Sequence, residues 1–233
     1  MCHKMGIDGL VVIGGDGSYR GARALSNRGI PCIGIPGTID NDIASTEYTI
    51  GFDTAVNTVV ESVDRLRDTS QSHDRCSVVE VMGRRAGHIA LHAGIACGAI
   101  AVLIPEREFN VDVDVIDRMK ETLKTGKHHF IVIVAEGVGD SKRICEYIEE
   151  KTGIESRLTV LGHVQRGGTP TAKERVYASV MGYRAVELLE QGKGNRVVGV
   201  QNNRVVDFDI NDALEMTKDI DQYLYKVAYE ISI

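Results

Sequence analysis

Leu10-Val11-Val12-Ile13-Gly14-Gly15-Asp16-Gly17-Ser18 sets an apolar, β-branched run against a turn rich in glycine, and residues 19–27 follow it with helical patterning. The run reads as a buried strand and the glycines as the turn into the next helix. Glycine permits positive φ and removes Cβ, so backbone N–H groups in such a turn can approach an anion closely. Asp16 puts a carboxylate where polyphosphate oxygens would lie. Two anions repel unless a cation lies between them, which points to Mg2+ held directly or through its waters. The competing reading is a tight strand-to-helix turn capped by Asp16.

Working outward, the same alternation recurs along the chain. Residues 31–35, 76–81, 99–104, 130–135, 158–164 and 197–200 read as strands. Between them, residues 54–67 carry Ala55, Val59, Val63 and Leu66 at helical spacing, and residues 111–123, 141–151 and 173–191 behave similarly. Near-continuous apolar strands separated by amphipathic helices predict a doubly wound α/β fold with parallel sheets. In such sheets ligands gather at the carboxyl ends of strands.

Composition narrows the function classes. With 233 residues, 43% hydrophobic and 26% charged, the chain is of ordinary globular make-up, and a net charge of -6 without a Lys/Arg run argues against a nucleic-acid surface. The longest apolar stretch, residues 89–104, is broken by His92 and several glycines and ends at Pro105, so no bilayer span is expected. Residues 1–9 are polar and the apolar run after them is too short for a secretory signal. Five scattered cysteines with no CxxC spacing disfavour both zinc and a disulfide framework, and a reducing cytoplasm is the expected setting.

Two further stretches sit at strand ends. Pro36-Gly37-Thr38-Ile39-Asp40-Asn41-Asp42 brings two carboxylates two residues apart, which in an extended turn project the same way. One could act as general base on a hydroxyl and the other hold its neighbours or the metal region. An Asx-rich capping loop is the alternative. Gly162-His163-Val164-Gln165-Arg166-Gly167-Gly168 offers a planar guanidinium able to grip a phosphate bidentately, beside a histidine that could equally be structural.

Taken in order, GGDGS, PGTIDND, VVEVMGR, AEGVG and LGHVQRGG, with their intervals, resemble the bacterial ATP-dependent 6-phosphofructokinase family across essentially the whole chain. The GGDG turn alone is also similar to one in kinases of NAD and of diacylglycerol. The phosphofructokinase resemblance implies two Rossmann-like three-layer α/β/α domains with mostly parallel sheets. Residues 1–52 plus 165–214 would form the remainder of an ATP-binding domain, and residues 53–164 plus 215–233 a fructose 6-phosphate-binding domain. It implies phosphorylation of the 1-hydroxyl of fructose 6-phosphate by MgATP, a step of glycolysis.

Position by position, the resemblance makes Asp40 the base, with Thr38 beside the transferring group and Arg84 stabilising it. Gly15, Asp16, Gly17 and Ser18 would bind the nucleotide, with Asp16 toward the metal. Thr38, Ile39, Asp40, Met82, Gly83, Arg84, Glu136, His163, Val164, Gln165 and Arg166 would bind the sugar phosphate, although Arg84 alone could be a surface cation and Glu136 a helix N-terminal acid. Arg75 and Arg157 would reach the site from a neighbouring subunit of a homo-oligomer, a tetramer by resemblance. Relatives that use pyrophosphate replace the last glycine of GGDG by Asp and the glycine of PGTID by Lys. Gly17 and Gly37 stand there in this chain, so ATP is the expected donor.

The chain departs from the family pattern twice. The family opens with a strand and a GGDxxGxN turn, and nothing before Leu10 resembles it. An amino-terminal stretch of about 90 residues, some three βαβ-sized pieces, is therefore expected to be missing, leaving the first domain incomplete. On that ground a non-catalytic fragment that binds sugar phosphate or assembles with other subunits is the alternative reading. At the nucleotide effector site Arg67 matches, but Ile100 replaces an effector-site Glu and the basic cluster is thinned to Thr125, Lys127 and His128. Arg67 and Lys127 are left as effector candidates.

Overall fold

A computed structural model describes residues 2–232. In chain order the first elements are β1 (Leu10–Gly14), α1 (Asp16–Ser26), β2 (Cys32–Thr38), β3 (Ile50–Gly51), α2 (Phe52–Ser72), β4 (Cys76–Val81), α3 (His88–Ala96) and β5 (Ala101–Leu103). There follow α4 (Arg118–Leu123), β6 (Phe130–Ala135), α5 (Ser141–Thr152), β7 (Ser156–Val160), α6 (Ala172–Glu190), β8 (Arg196–Gln201), β9 (Arg204–Asp209), α7 (Ile210–Glu215) and α8 (Gln222–Glu230). They fall into two compact units, Met1–Asp53 with Thr169–Asp219, and Thr54–Gly168 with Ile220–Ile233.

The first unit is a sheet in the order β1-β2-β8-β9, with β3 paired to the end of β2. All its pairings are parallel except β8 with β9. Period-2 alternation sends Cys32 and Val197 to one face, where Tyr19 and Ala22 of α1 and Ile210 and Ala213 of α7 cover them. Ile33, Ile35, Val198 and Val200 face the other way, onto Met181, Ala185 and Leu188 of α6. Burial on both faces is why β2 reads as an unbroken apolar run, each large side chain contributing about 1.5–3 kcal/mol. Gly34 makes the close approach possible, since a Cβ there would lie 2.8 Å from Tyr19 Cε1 and 2.9 Å from Val197 Cγ1.

The second unit is an all-parallel sheet in the order β5-β6-β4-β7. Cys76, Val78, Phe130, Val132 and Val134 form one face with Val115 and Met119 beneath them and Ile144, Cys145 and Ile148 of α5. Their alternating neighbours Val79, Ile131 and Ile133 are as deeply buried. The apolar stretch 89–104 is no single element. Gly98, at φ 58°, turns it from the buried helix α3 into strand β5.

Several elements differ from expectation. Helix α1 begins at Asp16 and not at residue 19, so Asp16, Gly17 and Ser18 form its first turn and Gly15 is the N-cap. None of Gly14, Gly15 and Gly17 adopts positive φ. What Gly14 supplies is room, because a Cβ there would lie 2.1 Å from Ser18 Oγ. Strand β7 stops at Val160, where Gly162 at φ 53° opens a one-turn 3-10 helix, Gly162–Arg166. Helix 111–123 starts as a π-helical stretch, Asp112–Asp117, before α4. Strands β3 and β9 and helix α7 were not expected.

Candidate active site

In the first unit β1 and β2 run parallel in register, Gly14 opposite Pro36, so their carboxyl ends open side by side. The two motifs therefore meet: a Cβ on Gly15 would lie 3.7 Å from Thr38 Cβ, ordinary van der Waals contact. Asp16 is half-exposed at the positive end of α1, its carboxylate 3.0 Å from Arg20 one turn on, and it is not the cap. Thr38 Oγ1 accepts the backbone N–H of Asp40 at 3.2 Å. Asp40 is 7% exposed. The turn is not extended as expected, because Asn41 is left-handed at φ 53° and bends the chain between Asp40 and Asp42.

In the second unit the adjacent strands β6, β4 and β7 end together and bring three motifs to one sheet edge. Met82-Gly83-Arg84 follows β4 in a turn with Gly83 at φ 140° and Arg84 at φ 56°. Glu136, at the end of β6, accepts the N–H groups of both Gly83 and Arg84 through Oε1, at 3.2 and 2.6 Å. His163, Val164 and Arg166 project to solvent from the 3-10 turn after β7. Gln165 does not. It is 0% exposed, its Oε1 accepting Met82 N–H at 3.1 Å and its Nε2 donating to Gly162 C=O at 3.1 Å. Gln165 therefore braces the two turns together, and both ends of its amide are engaged by backbone groups.

Arg75 and Arg157 sit elsewhere. Arg75 immediately precedes β4 and Arg157 is the second residue of β7, at the amino ends of the strands whose carboxyl ends carry Arg84 and His163. The six residues of β4 put roughly 20 Å between those ends at about 3.3 Å per residue. Glu155, which the sequence did not single out, gathers both cations: Arg75 Nε donates to its Oε2 at 2.6 Å and Arg157 to its Oε1. The Arg75 hydrogen bond, helped by Arg157, holds the Glu155 carboxyl below its ordinary range.

Arg67 donates to Cys97 C=O, and Lys127 and His129 lie within its field. Burial first, and Arg67 second, lowers the Lys127 ammonium; burial, then Lys127 and Arg67, lowers His129. His129 thus joins the basic cluster, where His128 was expected. Lys218 was also missed. Its Nζ donates to Asn41 Oδ1 at 3.0 Å and to Thr46 C=O at 2.9 Å, from 177 positions along the chain. No local motif signals a contact of that range.

The phosphofructokinase family profile matches residues 1–189. The chain is 58% identical over 230 residues to ATP-dependent 6-phosphofructokinases of Bacillus cereus and of Bacillus cytotoxicus, spanning 99% of this chain and 72% of theirs. Among solved structures it is similar to phosphofructokinase from Saccharomyces cerevisiae, with 30% identity and a TM-score of 0.85 over all of this chain and 36% of that one. A pyrophosphate-dependent phosphofructokinase from Marinobacter aquaeolei shares the fold, with a TM-score of 0.83 at 22% identity over 95% of this chain and 64% of that one. The α/β sheets, the paired strand-end motifs and these likenesses agree, and the chain belongs to the phosphofructokinase family.

Proposed function

We propose that the chain carries the chemistry of transfer of the ATP γ-phosphoryl group to the 1-hydroxyl of fructose 6-phosphate, giving fructose 1,6-bisphosphate and ADP. The observation that carries this reading is the meeting of Gly15 and Thr38 at neighbouring strand ends, with Asp40 two residues further on. A phosphate-binding turn and a carboxylate are thereby held together. A primary alcohol is a poor nucleophile at neutral pH, so the reaction needs alignment, a base and charge neutralisation more than covalent catalysis. As the sugar O1 bonds to the γ-phosphorus and the bond to the bridging oxygen breaks, the O1 proton goes to the Asp40 carboxylate. Thr38 holds the Asp40 backbone in place, and the Arg84 guanidinium takes up charge on the transferring group. His163 and Arg166 grip the sugar 6-phosphate, and Glu136 remains available to sugar hydroxyls.

Mg2+ commonly takes one or two carboxylates and completes its shell with phosphate oxygens and water. Among the described residues no three His, Cys, Asp or Glu side chains converge on a cage, and the half-exposed Asp16 at a helix N-terminus fits the sparser arrangement. Bound there with the nucleotide, Mg2+ would neutralise polyphosphate charge. The donor reading rests on Gly17 and Gly37. A Cβ on Gly17 meets nothing within 4 Å, so the space beside the turn stays open, while one on Gly37 would lie 2.8 Å from Ile13 Cγ2. An Asp at 17 would fill that space and set a second carboxylate beside Asp16.

The position of Arg75 and Arg157, a strand length from Arg84, supports their acting across a subunit boundary in a homo-oligomer, a tetramer by resemblance. We place the reaction in the cytoplasm, the reducing setting that the five scattered cysteines without CxxC spacing favour. Arg67 and Lys127, with His129, remain the candidates for an effector contact. The test is a coupled assay of the purified chain with MgATP and fructose 6-phosphate, with sugar-phosphate binding followed by titration calorimetry. Asp40→Asn should lower turnover about 10²–10⁴-fold, the usual worth of a general base, while binding persists. Turnover by Asp40→Asn within twofold of the parent, on the order of experimental scatter, would remove Asp40 from the reaction.

A further inference from the structure

The segment between β2 and β3 is an irregular stretch in the first unit, and it carries Asp40. Irregular backbone that is buried must find partners for its polar groups outside any ladder. Much of that work falls to Lys218, which lies on the connection between α7 and α8. Its ammonium donates to Asn41 Oδ1 at 3.0 Å, Thr46 C=O at 2.9 Å and Glu47 C=O at 3.5 Å, matching its three N–H bonds. Thr49 Oγ1 donates to the same Asn41 oxygen at 3.4 Å. The charged groups facing the ammonium are Asp42 and Glu47. Burial nevertheless lowers the Lys218 pKa to about 8, against the pull of those carboxylates. A cation held out of water at that cost sits directly on the one left-handed residue next to the proposed base.

We propose that Lys218 is a positioning residue for Asp40: by pinning Asn41 and the far side of the segment, it fixes the left-handed bend that follows Asp40 and so the direction of its carboxylate. Thr38 Oγ1 holds the Asp40 N–H from the other side, so the residue is fixed on both flanks. The proposal rests on reading Asp40 as the base. Misplacement of a reacting group by about 1 Å costs on the order of 10²-fold in rate, so a loosened bend should be felt in kcat before KM.

The test compares Lys218→Met, Lys218→Arg and Asp40→Asn in the full chain, by steady-state kinetics and by amide hydrogen exchange. Lys218→Met should lower kcat about 10- to 100-fold, with KM for fructose 6-phosphate within about 3-fold, and Lys218→Arg should recover part of the loss. Exchange at residues 40–47 should quicken about 10-fold or more in Lys218→Met while β1 and β2 keep their protection. Turnover and exchange like the parent's would overturn the proposal, and so would loss of protection throughout β1 and β2, which would mark a general structural role. If Asp40→Asn is inactive and Lys218→Met is like the parent, this inference fails and the base reading stands. If Asp40→Asn is like the parent, the base reading fails. Should the parent show no turnover, exchange at residues 40–47 decides the role of Lys218 alone.

Discussion

Gln165 commits both ends of its side-chain amide to backbone groups 83 and 3 positions away, Met82 N–H and Gly162 C=O. Leucine has nearly the same volume but neither donor nor acceptor. Gln165→Leu would strand the buried Met82 N–H at about 1–3 kcal/mol and the part-buried Gly162 C=O at about 1 kcal/mol, so we expect roughly 2–4 kcal/mol less stability, read as a lower urea midpoint. Arg84 and His163 lie on the two turns that Gln165 joins, so fructose 6-phosphate affinity should fall too. An unchanged midpoint would mean that water replaces the amide without loss. At this scale the sequence was legible in where it puts Thr38-Ile39-Asp40 and the glycines beside Asp16, at the ends of neighbouring strands. It was not legible for Gln165, whose neighbours in the motif face solvent while it faces inward. Lys218 and Glu155 were hidden for another reason: their roles exist only once distant segments meet.

Among elements, the β8–β9 hairpin holds a compact charge cluster. Asp207 on β9 accepts from Arg196 Nε on β8 and from Arg184 of α6, the latter at 2.8 Å. Burial alone would raise the Asp207 carboxyl, but the two arginine contacts outweigh it and hold it below its ordinary value. A depressed carboxyl stabilises the fold above its unfolded pKa, near 4, and that stability drains as pH falls through the folded value. Asp207→Asn should therefore be less stable than the parent at pH 6 and lose less between pH ~4 and ~3, measured by urea unfolding at each pH. Parallel losses in the two proteins would contradict this. Elements were readable when both faces are buried, as for β4 and β6, or when apolar residues recur at helical spacing, as Ala55, Val59, Val63 and Leu66 do in α2. Strand β9 escaped because its run Arg204-Val205-Val206-Asp207-Phe208-Asp209 mixes charges among half-exposed apolar residues, and α3 because it is apolar on nearly every side and runs on into β5.

For the whole molecule, the second unit is closed by the end of the chain. Arg118, 8% exposed, donates Nε–H to Ile100 C=O at 3.1 Å and a terminal N–H to Tyr229 C=O at 2.6 Å, and its guanidinium lies 3.9 Å from the centre of the Tyr229 ring. Arg118→Met should keep most of the packing volume yet remove a donor from each carbonyl, Tyr229 C=O keeping the Ser232 hydroxyl at 2.9 Å, at about 1–3 kcal/mol. Helix α8 should then become the first site of limited proteolysis, and resistance equal to the parent's would show that the apolar face of α8 suffices. The chain passes from one unit to the other after Asp53, after Gly168 and after Asp219. Neither unit is thus encoded by one contiguous stretch of the gene. During synthesis β2, which lies between β1 and β8 in its sheet, leaves the ribosome before β8 and β9, which emerge only when residues 196–209 have been made. Until then the edge that β8 will occupy is open to wrong partners, so the nascent chain passes through a stage in which it depends on chaperones or on speed.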